Sequence, residues 1–300
     1  MNELMDSTLN ILVTGSSGFI GSRWLQLMHE KYKLSTVSLR KTAIQDVQLE
    51  GVDTILHLAG LAHQMEAVNP SKYFEINTDL TLALAKKAKA QGVKHFVYIS
   101  TTKVYGDGED QVFYNEKSKC IPTDHYGESK LKAENKLKKL RSDSFLVSIV
   151  RPPLVYGPGV KGNLLLFMKL AKTPYPLPFK GISNNRAMVY VDNLIAMISK
   201  IIDSRKEGIF TLTDQHRIST EELIAEIREQ MGRSPKLFKL PGILVLPIKW
   251  LKPHIYFRLF GSFNVDCSES LKTLNFTIPY AFEDGIRAMV SHYQIQKTKS

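Results

Sequence analysis

Short apolar runs alternate with amphipathic stretches through the first half of the chain. Residues 10–14 (NILVT), 34–39 (LSTVSL), 53–58 (DTILHL), 95–100 (HFVYIS) and 144–150 (SFLVSIV) are mostly apolar and rich in β-branched side chains, and are predicted as strands. Between them, residues 18–31, 71–91 and 126–141 carry helical spacing. Near-continuous apolar strands separated by helices predict an α/β fold, a doubly wound parallel sheet covered on both faces. The texture changes after Arg151. Residues 152–185 are rich in Pro and Gly (PP, YGPG, TPYPLP) and are expected to be irregular. Residues 219–232 return as a helix that Ser219 or Thr220 can cap, with Glu221 and Glu222 in the first turn. The expected organisation is a sheet domain over 9–160, to which 184–215 returns, and a smaller C-terminal lobe from 161–183 and 216–300.

Composition narrows this little: 300 residues, 43% apolar and 23% charged, are ordinary for a soluble globular chain. Cys120 and Cys267 cannot build a disulfide framework, and neither has a CxxC neighbour, so no metal site is expected. The apolar run Ile243 to Leu246 stops at Pro247, far short of the ~20 residues a bilayer span needs. Residues 1–8 carry acids and no apolar core, unlike a signal peptide, so a cytoplasmic location is expected.

Net charge is +11, from 40 basic against 29 acidic side chains. The lysines are spread along helices, as in Lys86, Lys87 and Lys89 or Lys136, Lys138 and Lys139, and do not interleave with aromatics. They read as solvated faces, and no nucleic-acid partner is expected. Residues 240–263 mix apolar, aromatic and basic side chains in the manner of an interfacial helix. The preferred reading is that this segment builds the core of the second lobe, with any membrane contact at most peripheral.

Candidate chemistry begins where the first strand runs into Gly15-Ser16-Ser17-Gly18-Phe19-Ile20-Gly21. A glycine turn at the start of a helix lets backbone N–H groups and the helix dipole meet a pyrophosphate. Gly15, Ser17, Gly18, Phe19, Ile20 and Gly21 are therefore candidates for holding a dinucleotide. An acid at the end of the second strand would bind the ribose hydroxyls and select NAD, whereas a base accommodates the 2′-phosphate of NADP. That strand ends Ser38-Leu39-Arg40-Lys41, with no acid. Arg40 is the candidate for the 2′-phosphate, so NADP(H) is favoured and NAD(H) is the alternative. The interval from this strand to Asp53 is too short for a further strand and helix.

Tyr126 and Lys130 lie four residues apart on a predicted helix, on one face with Ala133, Leu137 and Leu140, while Lys132, Lys136 and Lys139 fall on the other side. An inward lysine beside a tyrosine is expected to lower the phenol's pKa and suit it to proton transfer. Ser100-Thr101-Thr102 follows the strand 95–100, and a hydroxyl at the C-terminal end of a parallel strand stands where such sheets bind ligands. Thr101 could hydrogen-bond an oxygen undergoing oxidation or reduction.

Together these pieces resemble the extended short-chain dehydrogenase/reductases of the NAD-dependent epimerase/dehydratase superfamily, over nearly the whole chain. The resemblance is carried by VTGSSGFIG at 13–21, HLAG at 57–60, STTKVYG at 100–106, YGESK at 126–130, RPPLVYGPG at 151–159 and NNRAMVYVDNL at 184–194. It implies a Rossmann-type sheet with a smaller substrate-binding lobe, and a homodimer through the helices near 71–91 and 126–141. It implies that Thr101, Tyr126 and Lys130 are catalytic, with Lys130 also on the nicotinamide ribose. Leu58, Ala59, Gly60, Asn77, Ser100 and Pro153 would line the cofactor, although Asn77 lies on the stripe Tyr73–Asn77–Leu80–Leu84 and suits a structural role as well. Thr102, Asn163, Arg186 and Arg258 would contact a UDP-sugar, Arg186 through paired hydrogen bonds to its diphosphate. His63, Gln64 and Val155 are candidates for sugar selectivity.

Within that superfamily, 4,6-dehydratases carry Asp-Glu after the catalytic Thr, where this chain has Thr102-Lys103, and Cys120 does not suit the added cysteine of the 3,5-epimerising reductases. Hydride transfer at sugar C4 remains. The favoured expectation is a UDP-4-keto-6-deoxy-HexNAc 4-reductase (UDP-QuiNAc or UDP-FucNAc type) of surface polysaccharide biosynthesis. The alternative is a UDP-glucose or UDP-GlcNAc 4-epimerase. A non-catalytic NAD(P)-sensing module is a third class, and retention of both Tyr126 and Lys130 counts against it.

Overall fold

The computed structural model describes residues 8–62, 69–108, 111–214, 217–251 and 253–298. In chain order the elements are β1 (Asn10–Thr14), α1 (Phe19–Met28), β2 (Lys33–Val37), β3 (Thr54–His57), α2 (Pro70–Phe74), a π-helical turn (Glu75–Leu80), α3 (Thr81–Ala90), β4 (His95–Ile99), β5 (Phe113–Tyr114), α4 (His125–Lys138) and β6 (Leu146–Arg151). There follow β7 (Leu154–Tyr156), α5 (Asn163–Ala171), β8 (Met188–Tyr190), α6 (Val191–Asp203), β9 (Gly208–Thr211), α7 (Thr220–Gln230), α8 (Gly242–Leu251), α9 (Pro253–Phe260), β10 (Asn264–Val265), α10 (Ser268–Leu274) and α11 (Phe282–Thr298). The chain divides into two compact units. One comprises Met1–Gly106, Lys119–Arg151 and Met197–Phe210, the other Asp107–Ser118, Pro152–Ala196 and Thr211–Ser300.

The first unit is organised by a six-stranded sheet of order β2-β1-β3-β4-β6-β9. β1 pairs in parallel with β2 on one side (Asn10↔Lys33 to Thr14↔Val37) and with β3 on the other (Ile11↔Thr54 to Thr14↔His57). β3–β4 and β4–β6 are parallel too. Every residue of β3 and β4 is buried, as their apolar runs predict. Leu12, Ile55, Leu84, Phe96, Phe145 and Val147 belong to one apolar cluster, and Trp24 of α1 stacks on Tyr32 at 5.9 Å. Between β2 and β3 there is only a 3₁₀ turn, Ile44–Asp46, so β2 is left at the edge and β1 sits where the strand order reverses. In open α/β sheets that reversal opens a crevice at the carboxyl ends of the strands.

Among the polar groups carried into this core, His57, His95 and Glu134 each have partners. His57 ends β3 with Nδ1 at 2.8 Å from Thr14 Oγ1 and Nε2 at 2.9 Å from Thr81 Oγ1. His95 opens β4 with Nε2 at 2.6 Å from Ser148 Oγ. Glu134, on the inner face of α4, is fully buried and paired with Arg151 at the end of β6.

In the second unit β7 pairs in parallel with β8, and β5 with β10. α7 begins with a capping box: Glu222 N donates to Ser219 Oγ (3.1 Å), and Ser219 N donates to Glu222 Oε2 (2.8 Å). Two expectations are corrected here. Residues 152–185 are not wholly irregular, since α5 buries Leu164, Phe167, Met168 and Ala171 at helical spacing between its Pro- and Gly-rich flanks. Residues 240–263 do not simply form core: Ile243, Trp250, Leu251 and Phe257 are exposed. Among the described residues no helix is long and apolar enough to cross a membrane.

Burial holds His57 neutral, its pKa down to about 3, with the Lys130 ammonium adding to the effect. Burial likewise takes His95 down to about 4, helped by Arg205. Unfolding returns both rings to about 6.5, so below that pH the unfolded chain binds protons that the folded chain does not. Their contribution is complete above pH ~6.5 and is lost as pH falls towards 4 and then 3, at about 1.4 kcal/mol per histidine per pH unit. Urea denaturation between pH 8 and 5 should show the midpoint falling on the acid side of about 6.5. NMR should find both rings untitrated across that range, and protonation of either ring near its ordinary pKa would contradict the burial described.

Candidate active site

β1 ends at Thr14 and the chain turns at Gly15, whose φ of +71° is left-handed. A Cβ there would stand 2.6 Å from the Ala59 backbone nitrogen, and one at Gly21 would overlap the Gly15 carbonyl. The turn is therefore glycine because two backbone segments and a helix meet in it. Gly18 N–H donates to Gly15 O (3.0 Å), and Gly18 heads α1 with no side-chain cap. Phe19 and Ile20 form its first turn, while Ser17 and Gly18 are exposed. A helix start with its N–H groups and dipole directed outward, beside a cradle that a Cβ would fill, fits a dinucleotide pyrophosphate.

The 58–61 segment forms a second wall. Leu58 N–H donates to Thr14 O (3.2 Å), and Ala59 N–H to Thr14 Oγ1 (3.2 Å). A Cβ on Gly60 would be 3.0 Å from Asn77 Oδ1 and 3.2 Å from Lys130 Nζ. Asn77, in the π-helical turn, accepts from Leu61 N–H (2.8 Å) and donates from Nδ2 to Leu61 O and to Ser129 Oγ, both at 3.0 Å. Its amide is spent on clamping this segment to α4, which is the structural role allowed for it. Single π turns recur at functional sites, and this one aims the clamp. Arg40 is exposed in the turn after β2, and no carboxylate occupies the end of that strand.

Asp124 caps α4 by accepting from Gly127 N–H (2.7 Å), which places Tyr126 in the first helical turn and Lys130 one turn on. Thr101 follows β4 in extended backbone and caps the short turn Thr102–Tyr105, accepting from Lys103 N–H at 3.2 Å. The Thr101 hydroxyl stands close enough to the Tyr126 phenol to lower its pKa, so the two expected groups come together. Lys130 points inward as expected, its Nζ donating to Ile99 O (2.9 Å) and lying 4.7 Å from the centre of the Tyr98 ring.

One electrostatic expectation is corrected. The Tyr126 phenol is pushed up to about 12, mainly by burial, while the nearby Thr101 hydroxyl pulls it down and Asp124 and Tyr73 push it up. Burial brings Lys130 down to about 8, with Glu134 acting in the opposite direction. Desolvation outweighs the proximity that the sequence pattern alone weighs.

The pattern also missed what stands behind Lys130. Glu134 receives Arg151 Nε on Oε1 (3.0 Å) and Nη2 on Oε2 (2.5 Å), and accepts from the Ser100 hydroxyl at 2.6 Å. Arg151 Nη1 donates to Tyr105 Oη at 3.0 Å. Ser100 therefore has its hydroxyl committed to Glu134, and Thr102 beside it is buried. The available signal was Glu134 standing four residues past Lys130, on the same inward stripe.

Pro153, Val155, Asn163, Arg186 and Arg258 lie in the second unit. Arg186 precedes β8, with its N–H bonded to Ile218 O (2.9 Å), and lines a cavity of about 380 Å³ with Phe113, Arg217, Phe263, Asp266 and Cys267. Arg217, not singled out from sequence, lies with its guanidinium 4.9 Å from the centre of the Phe113 ring. Asn163 is the first residue of α5 after Gly162, and Pro153 is buried just before β7. Val155 lies half-buried in β7. Arg258 is on α9, its side chain outside the described residues, as are His63 and Gln64 altogether.

Comparison with known proteins agrees with the fold. The chain is 33% identical over 306 residues to a UDP-glucose 4-epimerase of Vibrio cholerae, covering 93% of each chain. A Bacillus cereus UDP-glucuronic acid 4-epimerase in complex with NAD has the same fold, with a TM-score of 0.74 at 19% identity over 96% of this chain and 99% of that one. RMD from Pseudomonas aeruginosa complexed with NADPH gives 0.78 at 20% identity over 96% of this chain and 100% of that one. Residues 11–212 match the NAD dependent epimerase/dehydratase family as a whole, and the chain belongs to that family of short-chain dehydrogenase/reductase enzymes.

Proposed function

We propose that the chain is an NADP(H)-dependent 4-reductase of a nucleotide sugar, converting a UDP-4-keto-6-deoxy-HexNAc to its 4-hydroxy product. The observation that carries this reading is the Thr101 hydroxyl close enough to Tyr126 to lower its phenol's pKa, one helical turn from an inward Lys130, with Arg40 and no acid in the turn after the second strand. The dinucleotide would be held by the Gly15–Gly21 turn, the 58–60 segment and Lys130, with Arg40 on its 2′-phosphate, and when bound it supplies the hydride. Thr101 and Tyr126 orient the C4 oxygen. A phenol raised to about 12 is protonated at neutral pH and stands ready to give its proton to an oxygen gaining negative charge. Lys130, steadied by Ile99 O and the Tyr98 ring, carries the positive charge that favours this transfer. In the second unit Arg186, with Arg217 lining the same cavity, suits a diphosphate.

The second reading is a UDP-glucose 4-epimerase, favoured by the Vibrio cholerae relative at 33% identity over 93% of the chain. The purified protein's nucleotide content and turnover separate the two. The reductase emerges without tightly held NAD and consumes NADPH stoichiometrically with the keto sugar. Tightly bound NAD, no net NADPH consumption and interconversion of UDP-Glc with UDP-Gal would make it an epimerase. Bound cofactor with neither activity would point to a sensing module.

Three variants test the assignments. Arg40→Glu should weaken NADPH relative to NADH by about 10- to 100-fold in kcat/KM, through loss of a charge-assisted contact worth about 1.5–3 kcal/mol. Tyr126→Phe should lower kcat by roughly 10²–10⁴-fold with KM little changed. Activity should fall as pH rises through about 8, where Lys130 loses its proton. Glu134→Gln, which removes the carboxylate favouring charged Lys130, should move that fall to lower pH. A pH–kcat profile identical in the wild type and Glu134→Gln would sever Glu134 from Lys130's proton.

A further inference from the structure

From Gln230 to Val265 the chain contains no aspartate or glutamate but six cations: Arg233, Lys236, Lys239, Lys249, Lys252 and Arg258. The middle of this stretch forms α8, Gly242–Leu251, with Pro247 inside it. Ile243 is 75% exposed, Trp250 81% and Leu251 80%, all within this one helix. Ahead of it Phe238 is 45% exposed, with Arg233, Lys236 and Lys239 exposed around it. Singly scattered apolar side chains are normal on a surface, but several large ones on one short helix are not.

We infer that α8 and the turn leading into it form a surface that docks on an anionic lipid bilayer. Ten residues give a helix of about 15 Å, too short to cross the hydrocarbon but long enough to lie in the interface. Trp250 and Leu251 supply an aromatic and an aliphatic anchor of the kind such helices bury at headgroup depth. The charge decides the occupant. Two copies of this face would bring cations against cations, whereas an anionic leaflet draws basic side chains at its surface by about 1 kcal/mol each. The docking surface is independent of the proposed reaction, and its test needs no substrate.

The chain has two tryptophans, which make the test direct. Trp24 is 0% exposed, so a solvent-dependent change in emission reports Trp250. The full chain is floated with vesicles of phosphatidylglycerol and phosphatidylcholine, and separately with phosphatidylcholine alone. The expected result is co-flotation and a blue-shifted emission with the anionic vesicles only. The binding should weaken between about 0.1 and 1 M salt, as the screening length drops from about 10 to 3 Å. Trp250→Glu combined with Leu251→Glu should lower vesicle affinity by about 100-fold while leaving the melting temperature and the circular dichroism spectrum in place. Lys236→Glu with Lys239→Glu should weaken binding while keeping the exposed apolar side chains. Trp250→Phe should abolish the spectral shift and retain flotation. Protein that stays at the bottom of the gradient with anionic vesicles overturns the inference. So does binding that survives the double glutamate variant, or concentration-dependent self-association with no change of emission on vesicles.

Discussion

The pairing of Glu134 with Arg151 is the constraint on which the catalytic half of the first unit depends. Both groups are buried, and the guanidinium meets the carboxylate through two nitrogens, at 3.0 and 2.5 Å. Ser100 also donates to Glu134 and Tyr105 accepts from Arg151, so the pair joins α4, the end of β6, the residue after β4 and the turn beyond it. Such a pair is not itself a large source of stability, but breaking it by removing one partner leaves a buried charge and costs about 3–5 kcal/mol. Its value here is positional. Glu134 is one turn from Lys130, and Ser100 is adjacent to Thr101, so one ion pair fixes the supports of both halves of the candidate machinery.

The sheet supplies the second constraint. β1 has β2 on one side and β3 on the other, so the first two crossovers leave in opposite directions and the end of β1 opens at the reversal. Gly15 turns the chain there, and Ala59 approaches so closely that a side chain at Gly15 has no room. Because only a 3₁₀ turn separates β2 from β3, β2 lies at the edge and the turn carrying Arg40 is exposed beside the reversal. The short interval and the exposed basic turn thus go together at the end of β2, where Arg40 and Lys41 stand exposed.

Much of this was legible in the chain because it is local. The strands are continuous apolar runs, the glycine turn is a spacing, and Tyr126 and Lys130 are four residues apart. What escaped depends on strands distant in sequence coming together. Arg151 reaches Glu134 only because β6 pairs beside β4, and no local pattern shows that Ser100 turns its hydroxyl to Glu134. Arg217 likewise joins the cavity of Arg186 from a different segment. α5 was masked by its Pro and Gly flanks although NLLLFMKLA itself repeats at helical spacing. For 240–263, apolar content does not amount to burial, and a run of Ile, Trp and Leu does not say which side of it faces protein. For Tyr126, the sequence shows the nearby lysine but not the desolvation, which only the fold supplies.

The electrostatic state of the first unit's site follows from these burials taken together. His57 lies close enough to Lys130 to feel its charge, yet its two nitrogens are satisfied by threonine hydroxyls and burial keeps it neutral. It therefore adds no second cation beneath the site. Glu134 binds Arg151 through direct hydrogen bonds and also favours the charged form of Lys130, whose ammonium is lodged against a carbonyl and an aromatic face. A single fixed cation beside a protonated phenol in a partly dry setting favours negative charge developing on an oxygen held by Thr101 and Tyr126, and does so without reorganisation at the moment of reaction. A charged His57 would set a repelling cation beside Lys130, so the neutrality that burial imposes on the ring preserves the ammonium on which this arrangement relies.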